Sequence, residues 1–335
     1  MTTANIDDKN SWFFEKCFGF YVSLARRVWR SMSAGTQTRG FGRAYGRHID
    51  RVVRRFSDRK QYFATFFLRN RPELQLLSRL LDRKPVGSRA DIAVVACSKG
   101  PEVYSIAWAI RKTRPDLDLR ILAVDISREI LDFASKGVYS LARPDSSHPQ
   151  TKSGVSWNTS RDQENAWMFE RMSSEEISEM FDVSGDEASI KPYLREGITW
   201  MCGDASDPRL NAGRHEIVVA NRFLCHMRPA AATACLRNLG TLVQPGGYLF
   251  VYGLDLDVRT NVALEMGWQP VRESIREIHD GDESLRSAWP LQYWGLEPLD
   301  DSLPEWEMRY ASVFRIGNSV PPEREVLAET GYAGR

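Results

Sequence analysis

The chain has 335 residues, of which 42% are hydrophobic and 27% are charged, a composition typical of a soluble globular protein that can bury a full core. Its 45 lysines and arginines nearly balance its 44 aspartates and glutamates, so overall charge does not indicate a nucleic-acid or anionic-membrane partner. No apolar run approaches the roughly 18 residues of a membrane span, and the first residues lack a secretory signal pattern. We therefore expect a cytoplasmic protein with no membrane span and no nucleic-acid partner.

The five cysteines are scattered along the chain, and none has the close spacing of a zinc or redox site. We therefore expect reduced thiols and no bound metal. Nothing in the residue pattern indicates an oligomeric state.

The first 85 residues are predicted to form a small all-helical domain. Apolar side chains recur there at spacings of three and four residues, as in Val22, Ala25 and Trp29, without the alternation of a strand. This leader is basic, because eleven lysines and arginines stand against two aspartates between Tyr21 and Lys60, an excess of nine. The basic residues either face an acidic substrate, or form a solvated helical face or pair with acidic residues elsewhere in the fold.

Residues 86–335 are predicted to form an α/β domain. Strand-like runs DIAVVAC and LRILAVD alternate with helix-like runs EVYSIAWAIRKTR and REILDFASKGVY, which indicates a parallel sheet with right-handed crossovers. Residues 142–165 are rich in Ser, Thr, Asp and Pro and predict an exposed linker. Helix-like runs ENAWMFERM and SSEEISEMF follow this linker.

The sheet is predicted to resume with GITWMCGD, HEIVVANRF and, after the helix AAATACLRNLGTLV, with YLFVYGLD. Residues 244–247 have the Pro-Gly composition of a turn before that last strand. An aromatic-rich insertion at about 256–305 precedes a final strand in PEWEMRYASVFRI. Its aromatic side chains either roof an acceptor pocket or form the core of a C-terminal extension.

Polar residues follow three successive predicted strands: Gly100 and Glu102 follow the first, Asp125 ends the second, and Asp204 follows the third. Ligands of open α/β sheets bind at the carboxyl ends of the strands, and an acidic residue after the second strand typically binds ribose hydroxyls. A dinucleotide site would need further glycines where Pro101 and Glu102 stand. Since an acidic Glu102 favours a cationic ligand, the pattern indicates S-adenosylmethionine (SAM) rather than NAD. Each of these residues could instead cap a helix.

Residues 97–140, CSKGPEVYSIAWAIRK through LAVDISREILDFASKGVYS, resemble the chemotaxis-receptor glutamate methyltransferase (CheR-like) family. TFFLR at 65–69 and NLGTLVQPGGYLFVYG further along resemble two other elements of that family. The resemblance implies a Rossmann-like class I methyltransferase sheet preceded by a small all-helical domain, with SAM as cofactor. No clear counterpart of the small receptor-docking subdomain of some members is evident.

By this resemblance, Glu102 would contact the amino end of the methionine portion of SAM, Asp125 the ribose and Asp204 the adenine. Arg69 would lie near the methionine carboxylate or the site entrance. Further residues are assigned to the cofactor: Ser98, Gly100, Ile126, Ala205 and Asn221.

The acceptor side departs from the family, because residues 220–227 read ANRFLCHM where the family has C-R-N-V-x-I-Y-F. Arg and Asn have exchanged places, and His226 stands at a tyrosine position. We assign the catalytic side to Arg69, Arg222 and His226, with His226 as a general base of pKa near 6 to 7 if the acceptor is a hydroxyl or amine.

Three hypotheses follow for the function. The first is methyl transfer from SAM to a small-molecule metabolite. The second is carboxyl O-methylation of protein glutamate side chains, so the partner is a small-molecule or carboxylate-bearing methyl acceptor. The third is a non-catalytic SAM-binding interaction protein.

Overall fold

A seven-stranded sheet forms the centre of the structure, a computed structural model that describes residues 4–57, 59, 65–142 and 167–317. The strands in chain order are β1 (Arg89–Val95), β2 (Asp118–Asp125), β3 (Val138–Ser140), β4 (Phe181–Ser184), β5 (Glu187–Ile190), β6 (Ile198–Cys202), β7 (His215–Val219), β8 (Val243–Phe250), β9 (Gln269–Pro270) and β10 (Val313–Arg315). The spatial order of the large sheet is β6-β2-β1-β7-β8-β10-β9. Its first five strands run parallel, while β10 is antiparallel to both β8 and β9.

Helices precede the sheet and alternate with its strands. They are α1 (Ala4–Ser31), α2 (Ala34–Thr38), α3 (Gly40–Phe56), α4 (Arg71–Leu81), α5 (Pro101–Thr113), α6 (Arg128–Lys136), α7 (Ser174–Met180), α8 (Pro192–Arg195), α9 (Pro229–Thr241), α10 (Leu256–Glu265), α11 (Ile275–Asp280), α12 (Glu283–Ala288) and α13 (Trp306–Tyr310). The predicted Rossmann-like sheet with helices before it is therefore confirmed. No described helix is both long and apolar enough to cross a membrane.

Local signals set the element bounds around the site. The strand β1 is built from β-branched and small residues whose last four side chains are buried. The helix α5 begins with Pro101, whose missing N–H costs nothing at a first helical position. Ser127 begins α6 by accepting a hydrogen bond from the backbone of Ile130 (3.3 Å). Short caps of this kind place polar loops directly at the ends of β1 and β2.

The helix α4 belongs to the core of the sheet and not to the basic leader. Its Leu76, Leu77 and Leu81 are buried in the same cluster as β1 and β7. Of the helices predicted within residues 1–85, α4 therefore packs with the sheet, whereas α1 and α3 form a separate core. In that smaller cluster Ala25, Trp29, Ile49 and Val53 pack against Trp289 and Tyr293 of the insertion.

A second, small sheet lies beside the large one and was not predicted. Its antiparallel order is β3-β5-β4, and its apolar face packs around Phe67 and Tyr139. Val138 and Tyr139 were assigned above to the end of a helix, but they begin β3. Gly137, with a left-handed φ of 63°, ends α6 just before them. The linker predicted for 142–165 lies, beyond Ala142, outside the described residues.

Candidate functional site

The carboxyl ends of four neighbouring strands, β6, β2, β1 and β7, surround a cavity of about 310 Å³. Since neighbouring strands lie about 4.8 Å apart, these four ends extend over roughly 14 Å. The length of the cavity along this edge of the sheet suits an elongated ligand. Of the residues assigned above, it is lined by Arg69, Ser98, Glu102, Asp125, Ile126, Asp204, Ala205, Asn221, Arg222 and His226.

Asp125 at the end of β2 organises the loop that follows β1. One carboxylate oxygen accepts a hydrogen bond from the backbone N–H of Ser98 (2.8 Å), and the other accepts from Ser127 (3.0 Å). Asp125 is 5% exposed, and these two hydrogen bonds show that its carboxylate caps the backbone of both loops. Each oxygen retains a second lone pair for a ligand hydroxyl, so capping and ligand binding are compatible.

The loop after β1 has an unusual backbone. Ala96 and Ser98 have φ values of 56° and 51°, a left-handed conformation that is uncommon for residues with side chains. Gly100 has φ 94°, and a Cβ there would approach Tyr104 and Tyr139 at 3.2 Å. Gly100 is not among the residues that line the cavity, and its assignment as a cofactor contact stays a prediction. Its backbone shapes the start of α5.

Asn221 and two carboxylates form a buried cluster below the cavity. The Asn221 Nδ2 group donates to Glu73 Oε1 (2.7 Å) and to Glu102 Oε1 (2.9 Å), while its oxygen accepts from the backbone of Tyr252 (2.8 Å). Asn221 thereby fixes the position of Glu102. Burial, together with the neighbouring Glu102, raises the pKa of Glu73 to about 7 against the opposing effect of Arg222.

Asp282, which immediately precedes α12, joins three arginines beside this cluster. Its Oδ2 accepts from Arg69 Nε (2.7 Å) and from Arg222 Nε (2.9 Å), and its Oδ1 accepts from Arg171 Nη2 (2.9 Å). Its Oδ1 also accepts from the hydroxyl of Ser284 (2.6 Å). Although burial acts in the opposite direction, Arg222 and Arg69 hold the pKa of Asp282 well below its usual range.

Arg222 adopts a strained conformation that its neighbours enforce. Its φ is 60°, and its guanidinium lies over the Tyr252 ring at 5.3 Å. A Cβ at Gly253 would approach Arg222 Cγ at 2.7 Å, so only glycine fits there. The Nη2 atom of Arg222 is buried without a hydrogen-bond partner among the described residues. Other atoms of Arg222 line the cavity, so its guanidinium offers a positive charge that suits an anionic ligand group.

His226 lies where the cavity meets a second, larger depression, and it lines both. Its Nδ1 is 2.8 Å from the Tyr293 hydroxyl. Burial, Arg59 and Arg69 lower the pKa of His226 to about 4. The expected pKa of 6 to 7 is therefore wrong, and a neutral His226 with so acidic a conjugate acid is a weak general base.

The larger depression, called here the basic groove, has a volume of about 1080 Å³. Seven arginines line it against four carboxylates, which leaves three positive charges in excess. The arginines are Arg47, Arg51, Arg54, Arg55, Arg59, Arg228 and Arg309, and the carboxylates are Asp50, Asp255, Asp257 and Glu297. The basic groove therefore attracts anions, and it borders the cavity at His226, which lines both.

The arginines of α3 differ in whether they are paired. Arg54 is paired with Asp50 and Asp255 (2.9 Å each) and donates to the Gly295 carbonyl (3.0 Å). Arg51 and Arg55 are exposed and have no ion pair within the described part of the chain. Arg54 is thus a structural link to the insertion, whereas Arg51 and Arg55 supply unneutralised charge to the groove.

The aromatic side chains of the insertion do not roof an acceptor pocket. Trp268 is 3% and Trp289 5% exposed, and they pack in the sheet core and against Trp29 respectively. Tyr293 approaches the site, through His226. The insertion instead contributes polar walls to the groove, such as Glu297.

Several site residues were missed in the sequence. Glu73 had a signal, because it shares a helical face with Leu76 and Leu77 and so had to be buried. Asp282 and Arg171 had none, since they lie far along the chain from Arg69 and no local pattern marks them.

Glu73 generates a test of this buried cluster. A carboxyl whose pKa rises on folding stabilises the protein below its unfolded value near 4.5 and loses that contribution as pH rises through about 7. Relative to Glu73→Gln, we expect the free energy of unfolding of the unmodified chain to fall by roughly 1 to 3 kcal/mol from pH 4.5 to 8. Urea unfolding across that range measures the difference.

The control is Glu187→Gln, which changes an exposed glutamate on β5 and should leave the pH dependence of stability unaltered. An identical pH dependence for Glu73→Gln and the unmodified chain would show that Glu73 is ionised in the fold.

Comparisons with known proteins agree with this geometry. Residues 64–152 match the family described as CheR methyltransferase, SAM binding domain. Chemotaxis protein methyltransferase 1 of Pseudomonas aeruginosa is 24% identical over 49% of this chain and 54% of its own length. Chemotaxis protein methyltransferase Cher2 of Pseudomonas putida is 25% identical over 50% of this chain and 55% of its own. The chain thus spans about half the length of these relatives.

Among solved structures, magnesium protoporphyrin IX methyltransferase from Synechocystis PCC 6803 aligns with a TM-score of 0.33, at 14% identity over 67% of this chain and 82% of that one. The family match over residues 64–152 includes β1, β2 and the cavity-lining residues that follow these two strands. Residues 64–152 are a CheR-type SAM-binding methyltransferase domain, and the chain is a distant homologue of the chemotaxis protein methyltransferases.

Proposed function

We propose that the cavity holds SAM with its adenine toward Asp204, its ribose at Asp125 and its amino acid near Glu102 and Arg222. The order of the strands supports this, because Asp204, Asp125 and Glu102 follow the adjacent strands β6, β2 and β1. Ile126, which is 54% exposed, offers an apolar surface beside Asp125 for the base. The positive charge of Arg222, which lines the cavity, fits the methionine carboxylate.

Substitution of Asp125 tests the cofactor placement. We expect Asp125→Ala to weaken SAM binding by about 10- to 100-fold, because hydrogen bonds to a charged group are lost. Calorimetric titration with SAM measures the effect, with NAD as a ligand that neither protein should bind.

Asp118→Ala serves as the matched control, since Asp118 begins the same strand at the opposite edge of the sheet. An Asp125→Ala protein with undiminished SAM affinity would reduce Asp125 to a cap of the loop.

For the acceptor, we propose a carboxylate on a protein or peptide, methylated to its ester. The observation that supports this acceptor most directly is the basic groove. It borders the cavity at His226 and has three positive charges in excess. A groove of about 1080 Å³ suits an extended chain better than a small metabolite. The names of the relatives support a protein acceptor, since each is a chemotaxis protein methyltransferase.

The residues around His226 suit a carboxylate and not a hydroxyl or amine. A carboxylate is ionised at pH 7 and needs no base, which agrees with the low pKa of His226. SAM, when bound, supplies a methyl group already activated by its sulfonium. The chain contributes alignment and exclusion of water. Arg59, whose charge helps to lower the pKa of His226, would draw the acceptor carboxylate toward the junction.

The groove charge is tested by the double variant Arg51→Glu and Arg55→Glu. With tritiated SAM and a glutamate-rich peptide as acceptor probe, we expect kcat/KM for the peptide to fall at least tenfold while SAM affinity stays constant. The physical reason is that attraction becomes repulsion across the groove.

The control reverses Arg83 and Arg214, two exposed arginines that precede β1 and β7 at the opposite edge of the sheet. Equal loss in both double variants would assign the effect to net charge and not to the groove.

The His226 environment predicts the pH dependence. With the same peptide, and in a Glu73→Gln background so that the Glu73 carboxyl does not titrate, the rate should be flat from about pH 6 to 8.5, because neither the acceptor nor His226 titrates there. His226→Asn should lose less than about tenfold, through poorer positioning alone. A rate that rises through pH 6 to 7 and collapses in His226→Asn would restore the general base and a hydroxyl or amine acceptor.

The chemistry of the product separates the hypotheses. A carboxyl methyl ester releases volatile methanol in base, whereas methylated amines and ethers do not. Methanol release from the glutamate peptide, and not from its glutamine counterpart, is the expected result. Base-stable methylation of small metabolites would support the small-molecule alternative, and SAM binding without any product would support a non-catalytic protein.

A further inference from the structure

We propose that Asp282, in the insertion over 256–305, is a positioning residue for the cofactor site: it holds Arg69 and Arg222 in the arrangement that binds the amino-acid portion of SAM. This inference rests on the proposed placement of SAM and is independent of the acceptor.

A single oxygen fixes the two guanidinium groups relative to each other. Asp282 Oδ2 accepts from the Nε atoms of Arg69 (2.7 Å) and Arg222 (2.9 Å). Because the Nε edges are occupied, the Nη atoms are the donors left for other partners. Arg69 Nη2 donates to Ser284 (3.2 Å), and Arg222 Nη2 has no partner among the described residues. Asp282 thus fixes the orientation in which both guanidinium groups are presented to a ligand.

The other oxygen of Asp282 restrains Arg69 indirectly, through Arg171. Its Oδ1 accepts from Arg171 Nη2 (2.9 Å), while Arg171 Nη1 donates to the carbonyl of Arg69 (2.7 Å). The Phe66 ring lies within 5.1 Å of the Arg69 guanidinium and 4.8 Å of the Arg171 guanidinium. Side chain and backbone of Arg69 are therefore both restrained through Asp282.

Burial makes this carboxylate hard to replace. The Asp282 side chain is fully buried, whereas those of Arg69, Arg171 and Arg222 are 12–20% exposed. Without its charge, three guanidinium groups would repel one another in a poorly solvated space. The arginines would then spread apart, and each would have to be ordered again when a ligand binds.

The consequence is selective for one part of the cofactor. The amino acid of SAM or S-adenosylhomocysteine is a zwitterion, so its binding depends on the arrangement of charges more than on their sum. Adenosine contacts at Asp125 and Asp204 involve no atom of this cluster. Loss of Asp282 should therefore weaken the binding of ligands that carry the amino acid and leave unchanged the binding of ligands that lack it.

The experiment compares S-adenosylhomocysteine with 5′-methylthioadenosine, which has the adenosine but not the amino acid. In calorimetric titrations we expect Asp282→Asn to weaken S-adenosylhomocysteine by about 10- to 100-fold. Binding of 5′-methylthioadenosine should change less than twofold. Retained binding of the second ligand also shows that the variant is folded.

Asp301→Asn is the matched control, because Asp301 lies in the same insertion and pairs with Arg276 at the surface. It should change neither affinity. If Asp282→Asn fails to fold, Ser284→Ala removes the hydroxyl bond to Asp282 Oδ1 and the bond from Arg69 Nη2 while keeping all charges. We expect a selective loss of about three- to tenfold for S-adenosylhomocysteine.

Equal weakening of both ligands, or of neither, would overturn the positioning role of Asp282. An unmodified protein that binds neither ligand would instead overturn the cofactor placement and, with it, this inference. Failure of the peptide methylation assays leaves both binding results intact, so the acceptor proposal and this one are judged separately.

Discussion

Three guanidinium groups converge on one fully buried carboxylate, and the arrangement of charge at this end of the cavity depends on those contacts. Arg69 follows the leader, Arg222 follows β7, and Arg171 lies between β3 and β4 of the small sheet. Asp282 therefore connects three distant segments to the insertion. A buried ion pair contributes little net stability beyond that of a well-packed apolar contact. Removing one partner, however, strongly destabilises the fold because it leaves a buried charge unpaired. The arrangement is better explained by placement of charge than by stability.

Arginine serves two different purposes on either side of His226. In the buried cluster, guanidinium groups are matched to carboxylates with short distances and fixed planes, which suits bidentate geometry. In the basic groove, Arg51 and Arg55 face solvent without a counter-ion among the described residues, so their effect is long-range and weakened by salt. Orientation and attraction are thereby assigned to separate sets of side chains, and His226, lying between them, is kept neutral by both burial and charge.

What could be predicted from the sequence is what local pattern determines. The runs that became β1, β2, β6, β7 and β8 are long and rich in β-branched or aromatic residues, and the polar residues after them necessarily meet at one edge of a parallel sheet. The grouping of Glu102, Asp125 and Asp204 around one cavity could be predicted for that reason. A glycine such as Gly100 after β1 can serve backbone shape or ligand approach, and sequence alone does not separate the two.

The remainder depends on contacts between residues far apart in the chain. Asp282 lies 213 positions from Arg69, and only packing reveals their pairing. The small sheet was missed because its strands have three or four residues, too few for an alternation to be recognised. The pKa of His226 was misjudged since the type of residue sets the ordinary value, whereas burial and two arginines set the actual one.

The packing of the leader against the insertion has a consequence for synthesis of the chain. Trp29, Ile49 and Val53 complete their core with Trp289 and Tyr293, which leave the ribosome more than two hundred residues later. At 5 to 20 residues per second, the apolar faces of α1 and α3 wait roughly 10 to 50 s for their partner. During that interval the nascent leader is a basic segment with uncovered tryptophan and isoleucine, the kind of surface that chaperones recognise.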